Sequence, residues 1–118
     1  MNSNEAGSVD ALLMSTLLSL DVPVERIRYT GEADTYITFQ IINGQDDAFS
    51  DDDSDAYEHY YGADIYSKGN YIALLTRTKL KLKEAGFYNI TVDAETYEKD
   101  TRFNHISLSF RFLEDMEE

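Results

Sequence analysis

Two histidines, His59 and His105, are the only imidazoles in this 118-residue chain, and no cysteine accompanies them. A hydrolytic triad needs a nucleophile, a histidine base and a carboxylate that orients it. Both histidines fall in segments that alternate like strands, and neither lies in a G-x-S-x-G elbow. They therefore read as strand residues, and a closed cavity joining either one to a buried carboxylate would reopen the question. The run Asp51-Asp52-Asp53-Ser54-Asp55 offers hard oxygen donors at D-x-D-x-D spacing. Ala56 stands where a calcium loop turns on Gly, and Gly62 where it supplies a bidentate Glu, so a solvated acidic loop is the simpler reading. The chain has no Gly-rich phosphate loop and no H-E-x-x-H helix. Asn89-Ile90-Thr91 matches a glycosylation acceptor, but Met1 to Val9 is polar and lacks the basic and apolar blocks of a signal peptide. The expectation is no catalytic residue, no metal site and no cofactor.

Charge and aromatic content point to surfaces instead. The formal net charge of −13 argues against binding nucleic acid through its phosphates, which needs clustered Lys and Arg. Gln45 to Ser67 holds eight acidic residues and no Lys or Arg; Lys68 to Asp93 holds five basic and two acidic ones. Of the nine tyrosines, Tyr57, Tyr60, Tyr61, Tyr66 and Tyr71 crowd one strand and the helix after it. A tyrosine ring with its polar tip suits a surface that becomes buried on association.

The elements that must position these residues follow from periodicity. Residues 1–7 read as a disordered lead and Ser8 as the N-cap of a first helix. Its stripe is Val9, Leu12, Leu13, Thr16, Leu17 and Leu20, and Pro23 stops it. The stretch Val9–Leu20 is too short and too polar to span a bilayer. Val24–Tyr29 is ambiguous between a helical turn and a short strand. Thr35–Ile42, rich in β-branched and aromatic residues, is a strand, and Asn43-Gly44 ends it. Residues 45–56 form a mobile acidic connection. Tyr57–Ser67 alternates as a second strand, with His59, Tyr61, Ala63 and Ile65 on one side. Ser67 or Asn70 caps a second helix that runs to Ala85, with Gly86 after it. Tyr71, Leu74, Leu75, Thr78, Leu82 and Ala85 form its buried stripe. Phe87–Val92 is a third strand, Asp93–Arg102 a polar connection, and Phe103–Phe112 the last strand. Residues 8–113 then form one α+β domain and 114–118 a frayed acidic tail. The order helix-strand-strand-helix-strand-strand implies a two-layer sandwich. Its sheet is four-stranded and mainly antiparallel, with both helices on one face.

One further signal is the succession of segments. Thr35-Tyr36-Ile37-Thr38-Phe39-Gln40 is followed by the acidic loop and by Asp64-Ile65-Tyr66-Ser67-Lys68. A helix through Leu74, Leu75 and Leu82 closes on Glu84-Ala85-Gly86-Phe87. Tyr97-Glu98-Lys99-Asp100-Thr101 then precedes His105 and the last strand. From about Val9 to Phe112 this resembles small tail completion proteins of phages and prophages of Gram-positive bacteria, of the tail terminator or tail-to-head joining kind. The resemblance implies a mixed α/β sheet domain without enzymatic activity. It also implies assembly into a ring, often hexameric, on tail tube or connector proteins, in the bacterial cytoplasm first and then in the virion tail.

The contact surfaces expected on this reading are an acidic loop, a basic helix face and an aromatic group. The loop is Asp46, Asp47, Asp51, Asp52, Asp53 and Asp55. The helix face is Arg77, Lys79, Lys81 and Lys83, and the aromatic group Tyr57, Tyr60, Tyr61 and Tyr66. Opposite charges on one domain suit the head-to-tail contact that closes a ring. The alternative is an acidic mimic of DNA that occupies a nucleic-acid-binding protein.

Overall fold

The computed structural model describes residues 5–42 and 56–115. Helix α1 spans Glu5–Leu18, followed by β1 (Val24–Arg26), β2 (Thr35–Ile41) and β3 (Ala56–Ser67). Helix α2 spans Ile72–Glu84, and β4 (Tyr88–Glu98) and β5 (Phe103–Asp115) complete the described chain. One sheet holds all five strands in the order β1-β2-β3-β5-β4, antiparallel throughout except for the parallel pair β1–β2. The ambiguous segment after the first helix is thus a three-residue fifth strand, and the sheet is mixed rather than four-stranded.

Period-two alternation decides which residues meet the helices. Ile37, Ile65 and Ile106 are in register across β2, β3 and β5, as are Phe39, Ala63 and Leu108. These side chains are buried in one cluster with Val9, Leu13, Leu17 and Leu20 of the first helical segment and Leu74, Leu75 and Leu82 of α2. Both helices therefore pack on the same face. At roughly 1.5–3 kcal/mol for each large side chain removed from water, this cluster is the main stabilising term.

The termini of α2 are satisfied locally. Tyr71 is the N-cap position and gives no side-chain cap, so neither Ser67 nor Asn70 caps the helix; Asn70 Oδ1 instead accepts the Ile72 N–H at 2.9 Å in a turn just before it. At the other end the Phe87 N–H reaches Leu82 O at 2.9 Å and the Gly86 N–H reaches Lys83 O at 3.1 Å. With Gly86 at φ 104°, this is the Schellman closure expected from the glycine. It delivers Phe87, buried against the rings of Phe110 and Phe112, straight into the core.

Several boundaries differ from expectation. α1 begins at Glu5, so Ser8 lies inside the helix and is not its cap, and 5–7 are helical rather than a disordered lead. β4 continues through the polar stretch to Glu98, because an edge strand exposed on both sides carries no apolar alternation. β5 runs on to Asp115, which takes Glu114 out of the frayed tail and pairs it opposite Tyr57. Between β1 and β2, the Arg28 N–H bonds Arg26 O at 2.8 Å around Ile27, whose φ of 72° makes this a γ-turn.

Candidate interaction surfaces

Both histidines do meet carboxylates, so the catalytic reading has to be examined in three dimensions. On the sheet face away from the helices, Asp64 Oδ1 takes His105 Nε2 at 2.9 Å and the Ser107 hydroxyl at 2.9 Å. Ser, His and Asp are adjacent, but the order is wrong. The carboxylate sits between serine and imidazole, whereas a triad places the imidazole between serine and carboxylate. The other His105 nitrogen, Nδ1, faces Glu98 at 4.0 Å, so neither ring nitrogen is directed at Ser107. On the helix side, His59 Nε2 contacts Glu114 at 2.8 Å with both side chains mostly buried. The rings packed on His59 are Tyr57, edge-on, and Tyr61, whose hydroxyl is committed to Asp10. Neither arrangement poises a nucleophile. Among the described residues, no group of three or more His, Asp or Glu is placed to hold a metal ion, and no helix is long and apolar enough to cross a membrane.

The tyrosines expected to form one aromatic surface are divided by the strand alternation. Tyr61 is fully buried in the core, so it is no part of an exterior. Tyr57 shares that side of the sheet, half-buried beside His59. Tyr60 and Tyr66 point the other way. Tyr60 lies under the Arg111 guanidinium, 4.7 Å from ring centroid to Cζ.

Tyr66 belongs to a row that the sequence left scattered. Tyr29 stacks on Tyr36 at 4.2 Å, Tyr36 on Tyr66 at 4.8 Å, and Tyr66 on His105 at 4.3 Å. Phe103 stands edge-on to Tyr36 and Tyr66. The row exists because Tyr36 is opposite Tyr66 and Tyr66 opposite His105 in the ladders, which brings four rings into successive contact. No described helix covers it, and all five rings are half-buried.

This aromatic row is set among carboxylates. Burial, followed by the charge of Asp64, then Tyr36 and Glu98, pushes the Tyr66 hydroxyl up to about 12. Burial and then Glu98 also raise Tyr36. Farther along the same face Tyr88 donates to Glu58, and burial with that bond pushes its hydroxyl up to about 12. The face is therefore aromatic and acidic, with Arg111 held beside Glu58 at 3.5 Å.

The four cations named from the sequence lie on α2. Arg77, Lys79, Lys81 and Lys83 are all exposed on α2, and Leu74, Leu75, Thr78 and Leu82 face inward. Lys81 lies 3.9 Å from Glu84, and the other three have no ion pair among the described residues. Two large apolar side chains share this outer face: Ile72 and Leu80 are 55% and 53% exposed. With Thr76 they occupy positions i, i+4 and i+8, one stripe along the outside of the helix. The exposed Leu80 was hidden in the sequence by the Lys-Leu-Lys-Leu-Lys alternation, which the helix converts into an inner Leu82 and an outer Leu80.

The acidic loop residues Asp46, Asp47, Asp51, Asp52, Asp53 and Asp55 lie outside the described residues.

No protein-family model matches the chain, and no curated protein does. Among solved structures, the fold is similar to a chain in the virion of a native gene transfer agent particle. The TM-score is 0.58 at 15% sequence identity, over 97% of this chain and 99% of that one. At that identity the likeness is one of fold, and it extends over the whole length of both chains.

Proposed function

We propose that this chain is a structural component of a phage-like virion, of the tail terminator or head-tail joining kind, which works by docking and not by catalysis. One observation carries the reading: the likeness of the fold, over 97% of this chain, to a chain of a gene transfer agent virion. The surfaces agree with it. An exposed cationic helix and an acidic aromatic sheet face, on opposite sides of one small domain, suit repeated subunit contact in a ring on tail tube or connector proteins. The localisation that follows is the bacterial cytoplasm during assembly and then the particle.

A mimic of DNA would present an unbroken negative face. Arg77, Lys79, Lys81 and Lys83 interrupt it with four exposed cations on one helix, and the assembly reading accommodates them without a second assumption.

Electron microscopy of purified particles carrying a gold-labelled version of the chain tests the proposal. Label confined to a fixed level of the tail or neck supports it. Particles that mature normally with no label anywhere overturn it.

A further inference from the structure

Ile72 and Leu80 are large apolar side chains left on the outside of a helix that already has a complete inner stripe. They are flanked by Arg77, Lys79 and Lys83, three cations with no ion pair among the described residues. On the opposite side of the sandwich, a row of aromatic rings that no described helix covers lies between Asp64 and Glu98. We infer that the outer face of α2 of one copy docks on the Tyr36–Tyr66–His105 row of the next copy. This rests on the assembly reading above and gives it an interface.

Chemistry, size and symmetry each support that pairing. The stripe from Ile72 to Leu80, widened by Lys79 and Lys83, places aliphatic groups and ammonium or guanidinium heads on one surface. The rings are stacked on one another, so the row offers ring edges rimmed by carboxylates; the edges receive aliphatic groups by burial and the carboxylates receive the cations. Three of the rings stand on neighbouring strands and Tyr29 stacks at one end, so the row spans roughly 14 Å at the usual strand spacing. The stripe from Ile72 to Lys83 is about 16 Å long at 1.5 Å per residue. The two surfaces lie on opposite sides of the two-layer domain, so one copy cannot satisfy its own and a two-fold axis cannot pair them reciprocally. The contact is heterologous and repeats from copy to copy, which closes into a ring if the rotation allows. A footprint of about 20 by 10 Å for one helix is far below the roughly 800 Å² per partner of a stable pair. A single contact is accordingly weak, and ring closure or a tail scaffold makes it persist.

The chain contains no cysteine, so introduced thiols report on this contact alone. Thr76→Cys lies on the exposed stripe of α2, and Thr96→Cys is exposed on β4 opposite His105. The two single variants, mixed at high concentration under a mild oxidant, should give a covalent heterodimer. Ser15→Cys, on the exposed side of α1, should give at most one-tenth as much with Thr96→Cys. Adding Lys79→Glu and Lys83→Glu to the Thr76→Cys chain should cut the yield at least tenfold. Equal yield from the Ser15→Cys control overturns the pairing. No crosslink, with salt-sensitive self-association still present by light scattering, overturns this interface and leaves the assembly reading standing. No crosslink and no self-association or tail binding at any concentration overturns both.

Discussion

The hydroxyl of Tyr61, in the middle of β3, donates a hydrogen bond to Asp10 Oδ1 in α1, while Asp10 Oδ2 takes the Arg26 guanidinium at 2.6 Å. A core tyrosine is thereby tied to the helix that covers it, and the carboxylate at the rim joins α1 to β1. Asp10 and Arg26 are each about a third exposed, so their ion pair contributes about 0–1 kcal/mol. Tyr61 is 0% exposed, so its hydroxyl has no water to fall back on.

The consequence is an asymmetry between two deletions. Asp10→Ala strands a buried hydroxyl and should cost about 1–3 kcal/mol, whereas Tyr61→Phe removes donor and demand together and should cost about 0.5–1.5 kcal/mol. Asp10→Asn retains an acceptor and should fall between them. Urea midpoints at constant slope measure all three, and a Tyr61→Phe loss larger than that of Asp10→Ala would refute the assignment.

Stability should decline in strong base for a specific reason. Tyr66 and Tyr88 are pushed up to about 12, and Tyr36 and Tyr61 are also raised, each chiefly by burial. An unfolded chain gives up these protons near pH 10, so between pH 10 and 12 the native state binds more protons than the unfolded one. The stabilisation is complete below pH 10 and is lost as pH rises through about 12. Phenolate absorbance should show an early step from the exposed rings and a late one from these four. Tyr88→Phe should shrink the late step alone.

Gly86 closes α2 at φ 104°, a conformation that a side chain resists, and a Cβ there would lie 3.3 Å from the Phe112 ring. Gly86→Ala should cost about 1–2 kcal/mol from the backbone alone. Thermal unfolding checks it, and an unchanged midpoint would mean that the closure is not needed.

Ile27 offers the reverse experiment. A β-branched residue at φ 72° is strained by about 1–3 kcal/mol, and its side chain is 67% exposed, so little burial offsets the strain. Ile27→Gly relieves the strain at an entropic cost of about 0.5–1 kcal/mol, for a net gain of roughly 0.5–1 kcal/mol in chemical denaturation. If the variant also loses binding to tail or connector proteins, the exposed isoleucine is held in that turn for contact.

Sequence periodicity carried the two helices, the long strands and the glycine that ends α2, because those features are local. Leu74, Leu75, Thr78 and Leu82 recur at helical spacing, and Tyr61, Ala63 and Ile65 at strand spacing, wherever their partners lie. β1 was only ambiguous because three residues, Val24 to Arg26, have no period, and their parallel pairing with β2 is a tertiary fact. The polar half of β4 read as a connection because both its sides meet solvent.

The candidate surfaces split along the same line. The cations of α2 follow from helical geometry. The aromatic row depends on register: Tyr36 and Tyr66 are thirty residues apart and meet only because β2 and β3 pair at that offset. Crowding in the sequence was misleading for Tyr61, since neighbours in a strand face opposite ways and Tyr61, next to the exposed Tyr60, belongs to the core.

Light scattering on the full chain, from micromolar to millimolar and from low to high salt, tests the central claim most directly. The account predicts a weight-average mass that rises with concentration, falls back toward the monomer as salt screens the α2 cations, and rises again when tail tubes or connectors are added. A monomer's mass at every concentration and salt, with no binding to tail or connector proteins, would contradict it.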